Sequence, residues 1–308
     1  MTTFYFLVVN YYSTDFIRKL LKSVDLDGCD YGVIVVNNAI ADIEIRTLAQ
    51  TYQSLIVIEA GKNLGFGGGC NIGLDWIYQQ DSDALVWLIN PDTILDEDAI
   101  SYVKRCLEKY SDLAILGTRI RDGYERPWFE IGHFNVWSGS VTHLKTNFKR
   151  SSFLEPNRHC PTVINSRWVS GCSLIINLAQ FQSCPTFDEH MFLYYEDCEF
   201  CERYRLQGKQ IAVTEAVLVT HAVSSTTGQN PGAKLMHATF SKLYFLQKYG
   251  TPIGLYLNLA YLLARSFWEQ VTGNTGMAIA RWQGICQFIR FRLTGRKEPV
   301  KGLNDYAS

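Results

Sequence analysis

The stretch LIVIEAGKNLGFGGGCNIGLDWIYQQDSDALVWLINPD, residues 55–92, decides the fold of this chain. Apolar runs at 55–58 and 84–89 predict two strands. Between them, a glycine-rich turn at 65–69 leads into a helix that extends through Tyr78. Because both strands are apolar throughout and a helix connects them, we expect parallel strands in a sheet that helices cover on both faces.

The same alternation continues on both sides of this stretch. Similar runs predict strands at 4–9, 32–36, 113–116 and 211–219, and helices at 16–24, 43–52, 96–110 and 195–208. The chain is less regular at 120–176, where we expect an antiparallel extension and loops. We therefore predict an α/β fold with a mostly parallel central sheet flanked by helices in a domain of residues 1–235. A C-terminal amphipathic helical region follows at 236–308.

The composition excludes several classes of protein. A chain of 308 residues with 47% hydrophobic and 19% charged residues buries a large core, which excludes a disordered chain and a disulfide miniprotein. Its net charge of -1 excludes the overall electrostatic footprint of a nucleic-acid binder. The charge is uneven, because residues 277–301 contain six basic side chains against Glu298 alone. Such a basic segment indicates a binding partner.

The cysteines and the hydrophobic runs predict where the protein resides. Nine cysteines, an odd number, follow an N-terminus without a secretory signal, which is typical of free thiols in a reducing cytosol. The longest uncharged stretch, 249–264, is shorter than the roughly 20 apolar residues that a membrane-spanning helix needs. We expect a cytoplasmic protein, with peripheral contact to the inner face of the plasma membrane through 252–297.

Short polar side chains follow four of the predicted strands. These are Asn10, Asn37 and Asn38, Asn63, and Asn90 with Asp92. Ligands of such sheets bind beyond the carboxyl ends of the strands. The glycines at 65–69 let the backbone approach a ligand, and the following helix N-terminus favours an anion such as a diphosphate; a flexible connection is the alternative. Cys70 excludes the dinucleotide-binding fingerprint, and no Gly-Lys-Ser/Thr follows to complete a P-loop.

Asp92, the pair Glu196 and Asp197, and His221 carry candidate chemistry, each with a structural alternative. Asp92 directly follows a buried strand. A carboxylate at this place is suited to bind a divalent cation together with phosphate oxygens; alternatively, it is an ordinary turn residue. Glu196 and Asp197 begin a helix beside two tyrosines. An apolar and like-charged environment raises the pKa of a carboxyl group, as a general base requires; alternatively, the two acidic residues only stabilise the helix N-terminus through its dipole. His221 ends a strand and is either a metal ligand or a structural histidine.

The order of these motifs resembles that of the family 2 glycosyltransferases with a GT-A fold, and within them the rhamnosyltransferase-like members. The resemblance covers about residues 1–235. It rests on Val8-Val9-Asn10-Tyr11, Val35-Val36-Asn37-Asn38, the segment Asn63 to Gly73, Asn90-Pro91-Asp92, Trp168-Val169-Ser170-Gly171-Cys172 and Glu196-Asp197.

The resemblance implies a role for each matched residue. Asp197 is expected to be the catalytic base with support from Glu196, and Asp92 and His221 are expected to bind Mg²⁺ or Mn²⁺. The nucleotide-sugar donor is expected to contact Asn10, Tyr11, Asn37, Asn63, Gly67, Gly68, Asn71, Asn90 and Asp92. The sugar and acceptor pocket is expected to include Trp168, Gly171 and Cys172.

Two departures from the family pattern bear on the donor. The family often has an acidic residue at the position of Asn37 or Asn38, and Asn90 replaces the first acid of the usual metal motif. The second variant occurs in the rhamnosyltransferase-like branch.

We therefore predict an inverting glycosyltransferase that moves rhamnose from dTDP-rhamnose to a glycan or lipid-linked oligosaccharide in cell-surface polysaccharide synthesis. The alternatives are a UDP-hexose-using glycosyltransferase and a non-catalytic glycan-binding protein of the same fold. A homodimer is a further expectation, and no nucleic-acid partner is expected.

Overall fold

The computed structural model describes residues 3–24, 31–52, 54–143, 161–222 and 230–295. The strands are β1 (Phe4–Asn10), β2 (Tyr31–Asn37), β3 (Leu55–Glu59), β4 (Leu85–Ile89), β5 (Thr93–Leu95), β6 (Leu113–Asp122), β7 (Pro127–Phe129), β8 (Gly132–Phe134), β9 (Val141–His143), β10 (Val163–Asn165), β11 (Ser173–Asn177) and β12 (Gln210–His221). The helices are α1 (Thr14–Val24), α2 (Glu44–Thr51), α3 (Gly65–Gln80), α4 (Ala99–Lys109), α5 (Glu196–Leu206), α6 (Pro231–Tyr249), α7 (Pro252–Val271) and α8 (Thr275–Thr294).

Within the described chain, ten strands form one mixed sheet in the order β10-β12-β6-β11-β4-β1-β2-β3, with β5 beside β12 and β7 beside β6. β3, β2, β1 and β4 are mutually parallel, as the apolar runs predict. β11 lies antiparallel between β4 and β6 and makes the sheet mixed rather than mostly parallel. β8 and β9 form a separate two-stranded sheet. The predicted α/β class is confirmed.

The glycine-rich segment is part of a helix, which corrects the predicted turn at 65–69. α3 begins at Gly65, whose φ of +74° few other residues adopt. A Cβ on Gly73 would lie 2.2 Å from Leu7 Cδ1, and one on Gly69 would lie 2.8 Å from Val9 Cγ1. The glycines therefore let α3 pack directly against β1.

The chain divides into two compact units. The first comprises residues 1–133, 142–187 and 197–224 and contains the core of the large sheet; the second comprises 134–141, 188–196 and 225–308 and contains α6, α7 and α8. Two short segments that precede residue 225 thus belong to the second unit. The predicted domain boundary at 235 stays a prediction.

Several contacts hold the second unit together. The Phe134 and Phe245 ring centroids are 4.6 Å apart, and Asn258 Nδ2 donates to the Trp137 carbonyl (3.1 Å). The buried Glu269 carboxylate accepts hydrogen bonds from Arg265 and Arg281, which joins α7 to α8. None of the described helices is both long and apolar enough to cross a membrane.

Candidate active site

The two asparagines that end β1 and β2 are fully buried and bond to one another. Asn10 Nδ2 donates to Asn37 Oδ1 and to Asp42 Oδ2, both at 3.0 Å. Asn10 Oδ1 accepts from the Ser13 N–H (2.9 Å), and Asp42 also accepts from the Thr14 hydroxyl. These side chains therefore fix the loops at the carboxyl edge of the sheet. Asp42 escaped the sequence analysis because it lies inside a loop, five residues beyond the strand end.

The side-chain amides of Asn37 and Asn38 also donate hydrogen bonds within the protein. Asn37 Nδ2 donates to Glu59 Oε2 (3.0 Å), and Asn38 Nδ2 donates to the Gly65 carbonyl (2.8 Å). Tyr11 differs, because it is 45% exposed and its ring lies 5.0 Å from that of Tyr12. Of the residues expected to contact the nucleoside at β1 and β2, Tyr11 is the one whose side chain is open to a ligand.

The residues of the glycine segment build the start of α3. Asn63 Oδ1 accepts the Gly65 N–H (3.0 Å), and Gly67 and Gly68 are buried in the first turns of the helix. Asn71 forms two hydrogen bonds with the backbone of Phe187, through Oδ1 (2.6 Å) and Nδ2 (3.0 Å). Asn71 therefore holds the chain at Phe187, a function that local sequence pattern does not reveal.

The two expected metal ligands lie side by side. β5 pairs antiparallel with β12 so that His221 is opposite Thr93, and this register brings His221 next to Asp92. Asp92 Oδ1 is 3.2 Å from His221 Nε2, and the two side chains are 12% and 10% exposed. The Trp128 ring packs on the imidazole at 4.4 Å between centroids. His221 Nδ1 is buried and makes no hydrogen bond with the part of the chain that the structure describes.

This pair fits a cation that a substrate helps to hold. Among the described residues, no group of three or more His, Cys, Asp or Glu side chains is placed to bind a metal ion. One carboxylate oxygen and one imidazole nitrogen are nevertheless suitable donors for Mn²⁺, and Mg²⁺ is often held by one or two protein ligands together with phosphate oxygens. The arrangement therefore suits a metal shared with a diphosphate rather than one enclosed by protein.

Asp197 lies in the first turn of α5 with both carboxylate oxygens oriented by backbone. The Gly171 N–H donates to Oδ2 (3.0 Å) and the Cys198 N–H donates to Oδ1 (2.8 Å). Burial raises the pKa of Asp197, although these bonds and nearby His143 oppose the rise. Glu196, the preceding residue, is buried.

Cys172 connects the two acidic positions. Burial raises the pKa of its thiol, and the charges of Asp92 and Asp197 raise it further. The Asn90 N–H donates to the Cys172 carbonyl (3.0 Å), which ties the end of β4 to the segment before β11. Hydrogen bonds thus join the segment at Gly171 and Cys172 to Asp197 and to Asn90, two residues before Asp92, although the two carboxylates are 105 positions apart in the sequence.

The side chains of Trp168 and Cys172, expected to line the acceptor pocket, are almost completely buried. Trp168 is 4% exposed, and its indole N–H donates to the His133 carbonyl (3.1 Å). A Cβ on Gly171 would lie 2.9 Å from Phe66, so this glycine allows the aromatic ring to approach. Trp168 and Cys172 therefore pack beneath the surface of the site, where they are not exposed to a ligand.

His143 is, with Asp42, a residue at this site that the sequence pattern did not indicate. Its ring lies 5.1 to 5.9 Å from those of Trp128, Phe129 and Trp168. Desolvation lowers the pKa of His143, while the Asp197 charge opposes this. The residue ends the short strand β9 in the irregular middle of the chain, where no spacing or motif distinguishes it.

A family model and two curated relatives match this chain. The model of "Glycosyl transferase family 2" matches residues 5–169. Rhamnosyltransferase WbbL of Escherichia coli (strain K12) is 24% identical over 70% of this chain and 82% of its own length. The N-acetylglucosaminyl-diphospho-decaprenol L-rhamnosyltransferase of Mycobacterium tuberculosis is 24% identical over 78% of this chain and 82% of its own.

Solved glycosyltransferase structures share the fold. The mannosyltransferase PcManGT from Pyrobaculum calidifontis, in complex with GDP-Man and Mn²⁺, matches 93% of this chain and 86% of its own with a TM-score of 0.56 at 12% identity. S. aureus TarS matches with a TM-score of 0.52 at 16% identity. That match covers 82% of this chain but only 41% of the TarS chain. The expected GT-A architecture is thereby confirmed.

Proposed function

Because this chain belongs to glycosyl transferase family 2, we propose that it is an inverting glycosyltransferase in which Asp197 is the catalytic base. The observation that carries this proposal is the placement of Asp197. Its carboxylate accepts the N–H groups of Gly171 and Cys198. The neighbouring Cys172 carbonyl accepts the N–H of Asn90, two residues before Asp92. A base and a diphosphate-binding group at one place are what direct sugar transfer requires.

In the proposed reaction, Asp197 accepts the proton of an acceptor hydroxyl. The hydroxyl oxygen forms a bond to the anomeric carbon of the donor sugar as the bond from that carbon to the diphosphate breaks. The nucleoside diphosphate leaves with the bonding electrons, and the sugar inverts its configuration. Each carboxylate oxygen of Asp197 accepts one backbone hydrogen bond and keeps a lone pair for the acceptor. The raised pKa makes the Asp197 carboxylate a stronger base than an ordinary aspartate.

Asp92 and His221 are the residues that would hold a divalent cation. When bound, such a cation neutralises negative charge on the departing diphosphate. Trp128 packs on His221 and limits the imidazole orientations, which supports a binding role for the histidine. We assign Asn90 to the same end of the donor, since its backbone is bonded to that of Cys172.

The remaining donor contacts follow from exposure. Tyr11 offers an aromatic face to the base, and the α3 N-terminus with Asn63, Gly67 and Gly68 offers partial positive charge to the diphosphate. Asn10, Asn37 and Asn71 act indirectly by holding the loops. The expected acceptor contact of Gly171 is with its backbone, next to Asp197.

The donor and acceptor are proposed from the relatives. Both relatives described above carry rhamnosyltransferase names, and one name includes a diphospho-decaprenol acceptor. We assign dTDP-rhamnose as donor and a glycan or lipid-linked oligosaccharide as acceptor, in cell-surface polysaccharide synthesis. The UDP-hexose alternative is an outcome of the following test. A non-catalytic protein is disfavoured, since loss of catalysis would remove the need for Asp92, Asp197 and His221 together.

The test uses purified full-length protein with a panel of dTDP-, UDP- and GDP-sugars. Release of nucleoside diphosphate is measured with Mn²⁺, with Mg²⁺ and after chelation. We expect release from dTDP-rhamnose that chelation removes and Mn²⁺ restores, and we expect Asp92→Ala to abolish it. Asp112→Asn, which alters an exposed carboxylate, is the matched control and should retain full release.

Donor-induced thermal stabilisation separates the remaining outcomes. Stabilisation by one donor without release would identify the nucleotide sugar and show that the assay lacks the acceptor. No release and no stabilisation with any donor would contradict a catalytic function and favour the glycan-binding alternative.

A further inference from the structure

α7 exposes the more apolar of its two faces. The outer face carries Ile253, Tyr256, Leu257, Ala260, Tyr261, Ala264, Phe267, Trp268 and Val271, which recur at helical spacing. Leu257, Phe267 and Trp268 are 62%, 72% and 62% exposed. The buried face instead includes Asn258, Ser266 and Glu269. A helix of a water-exposed surface has the opposite arrangement, so this face is built to meet an apolar environment.

α8, which packs against α7, also exposes large apolar side chains. Its exposed large side chains include Ile279, Trp282, Ile289 and Leu293. α7 and α8 pack together, and the Arg292 guanidinium donates to the Tyr256 hydroxyl (3.3 Å). Tyrosine and tryptophan, which combine an apolar ring with a polar group, are the residues favoured at the boundary between membrane and water.

The charge of these helices is mostly positive. Residues 230–295 contain seven basic side chains, Lys234, Lys242, Lys248, Arg265, Arg281, Arg290 and Arg292. Glu269 is the one acidic residue in this range, and it is 6% exposed and bonded to Arg265 and Arg281. Lys248 is bonded to Asp188 of the same unit, and the helices still carry a net positive charge, which suits an anionic partner.

A cavity of about 480 Å³ opens next to the apolar face. Its lining consists of Trp137, Ser138, Ser140, Lys242, Leu257, Asn258 and Tyr261. Leu257 and Tyr261 belong both to this lining and to the outer face of α7. No described carboxylate pairs with Lys242, whose pKa is lowered by burial and by the like charge of Arg281. An unpaired, partly desolvated ammonium beside two serines is suited to a phosphate group.

We propose that the outer face of α7 and α8 lies on an anionic lipid bilayer, with a lipid phosphate in the cavity at Lys242. None of the described helices is long and apolar enough to span the bilayer, and the proposed contact is with the bilayer surface. A second copy of the chain is a poorer occupant, because it would bring two surfaces of the same positive charge together. The proposal does not depend on the catalytic assignment.

Vesicle flotation of the full chain tests the apolar contact. Vesicles of phosphatidylcholine alone are compared with vesicles that contain equal parts of phosphatidylglycerol. We expect binding to the anionic vesicles, weakened by high salt, and a loss of about tenfold or more in Phe267→Ser/Trp268→Ser. Ile43→Ser/Tyr124→Ser removes equally exposed apolar side chains from the first unit and should bind normally.

Lys242→Gln tests the cavity. One lysine near an anionic surface contributes about 1 kcal/mol, so the variant should bind anionic vesicles about fivefold more weakly. Lys22→Gln, at an exposed position of α1, should bind as the unaltered chain does. Equal binding by Lys242→Gln and the unaltered chain would remove the cavity from the proposal.

Two results would overturn the proposal as a whole. One is that the full chain binds neither kind of vesicle although a cooperative thermal unfolding transition shows that it is folded. The other is that Phe267→Ser/Trp268→Ser binds as the unaltered chain does. Light scattering identifies the competing occupant. A dimer that this double variant converts to a monomer, without vesicle binding in either state, would assign the face to a second copy.

Discussion

Asp197 combines a strong base with a fixed orientation. Burial raises its pKa, so the acid limb of kcat/KM should lie above pH 4, near which an ordinary aspartate titrates. Activity needs the carboxylate and should therefore fall as the pH falls through this raised pKa. Asp197→Asn should lower kcat by about 10²- to 10⁴-fold while donor-induced thermal stabilisation persists. Initial rates across pH with the identified donor check both expectations, and near-normal transfer by the variant would refute the assignment.

The asparagines show how far individual residues can be interpreted from sequence. The pattern correctly places Asn10, Asn37 and Asn63 at the carboxyl edge of the sheet, because strand ends are visible in the hydrophobic pattern. It does not reveal that Asn10 and Asn37 bond to each other and to Asp42. Partners 27 and 32 residues apart are set by tertiary structure, which leaves no local signal.

At the scale of elements, the contact between α3 and β1 depends on the absence of side chains. We predict that Gly73→Ala lowers the free energy of unfolding by about 1–3 kcal/mol, although alanine favours helices, because its Cβ would overlap buried Leu7. Gly276→Ala, in α8 with nothing within 4 Å, should be neutral or stabilising. Urea denaturation measures both.

A double-mutant cycle separates this overlap from a general helix effect. Leu7→Ala should cost less in the Gly73→Ala background than in the unaltered chain, because the overlap has been relieved. Additive effects would show that the contact is not the cause.

The elements that the sequence predicts are those with local signals. β1 to β4 and α1 to α4 follow from continuous apolar runs and helical periodicity. The antiparallel position of β11 and the pairing of the three-residue β5 with β12 do not, since a strand's neighbour is a long-range choice. The contact between Asp92 and His221 depends on the pairing of β5 with β12. Both residues are candidates from the sequence, but their 3.2 Å separation is not visible in it.

At the scale of the whole molecule, stability in acid should depend on a buried ionic cluster. The Arg167 and Arg205 guanidiniums donate to the Glu202 carboxylate, and these bonds lower its pKa from 4.5 to about 2 despite burial. A lowered folded-state pKa stabilises the protein above pH 4.5, and this contribution is lost as the pH falls toward 2. Glu202→Gln should therefore reduce the free energy of unfolding at pH 7 by about 2 kcal/mol, allowing for screening at the partly exposed arginines.

Denaturation at pH 7 and near pH 3 checks this expectation, since the difference between Glu202→Gln and the unaltered chain should shrink in acid. Glu108→Gln, at an exposed position of α4, is the control and should match the unaltered chain at both pH values. A penalty that does not change with pH would mean that Glu202 acts through packing alone.

The two bonds between Asn71 and the Phe187 backbone also bear on the order of folding. They join positions 116 residues apart, whereas Gly73 and Leu7, at the contact between α3 and β1, are 66 residues apart. Contacts of such separation form slowly, because a long loop must close before they are made. During synthesis, the donor half of the site would therefore take shape while the segment leading to Asp197 was still being translated. A chain interrupted before residue 187 would contain the residues of α3 and lack Asp197. Formation of the two bonds between Asn71 and Phe187 is therefore expected late in folding, after the residues of both the donor site and its anchoring helix have been made.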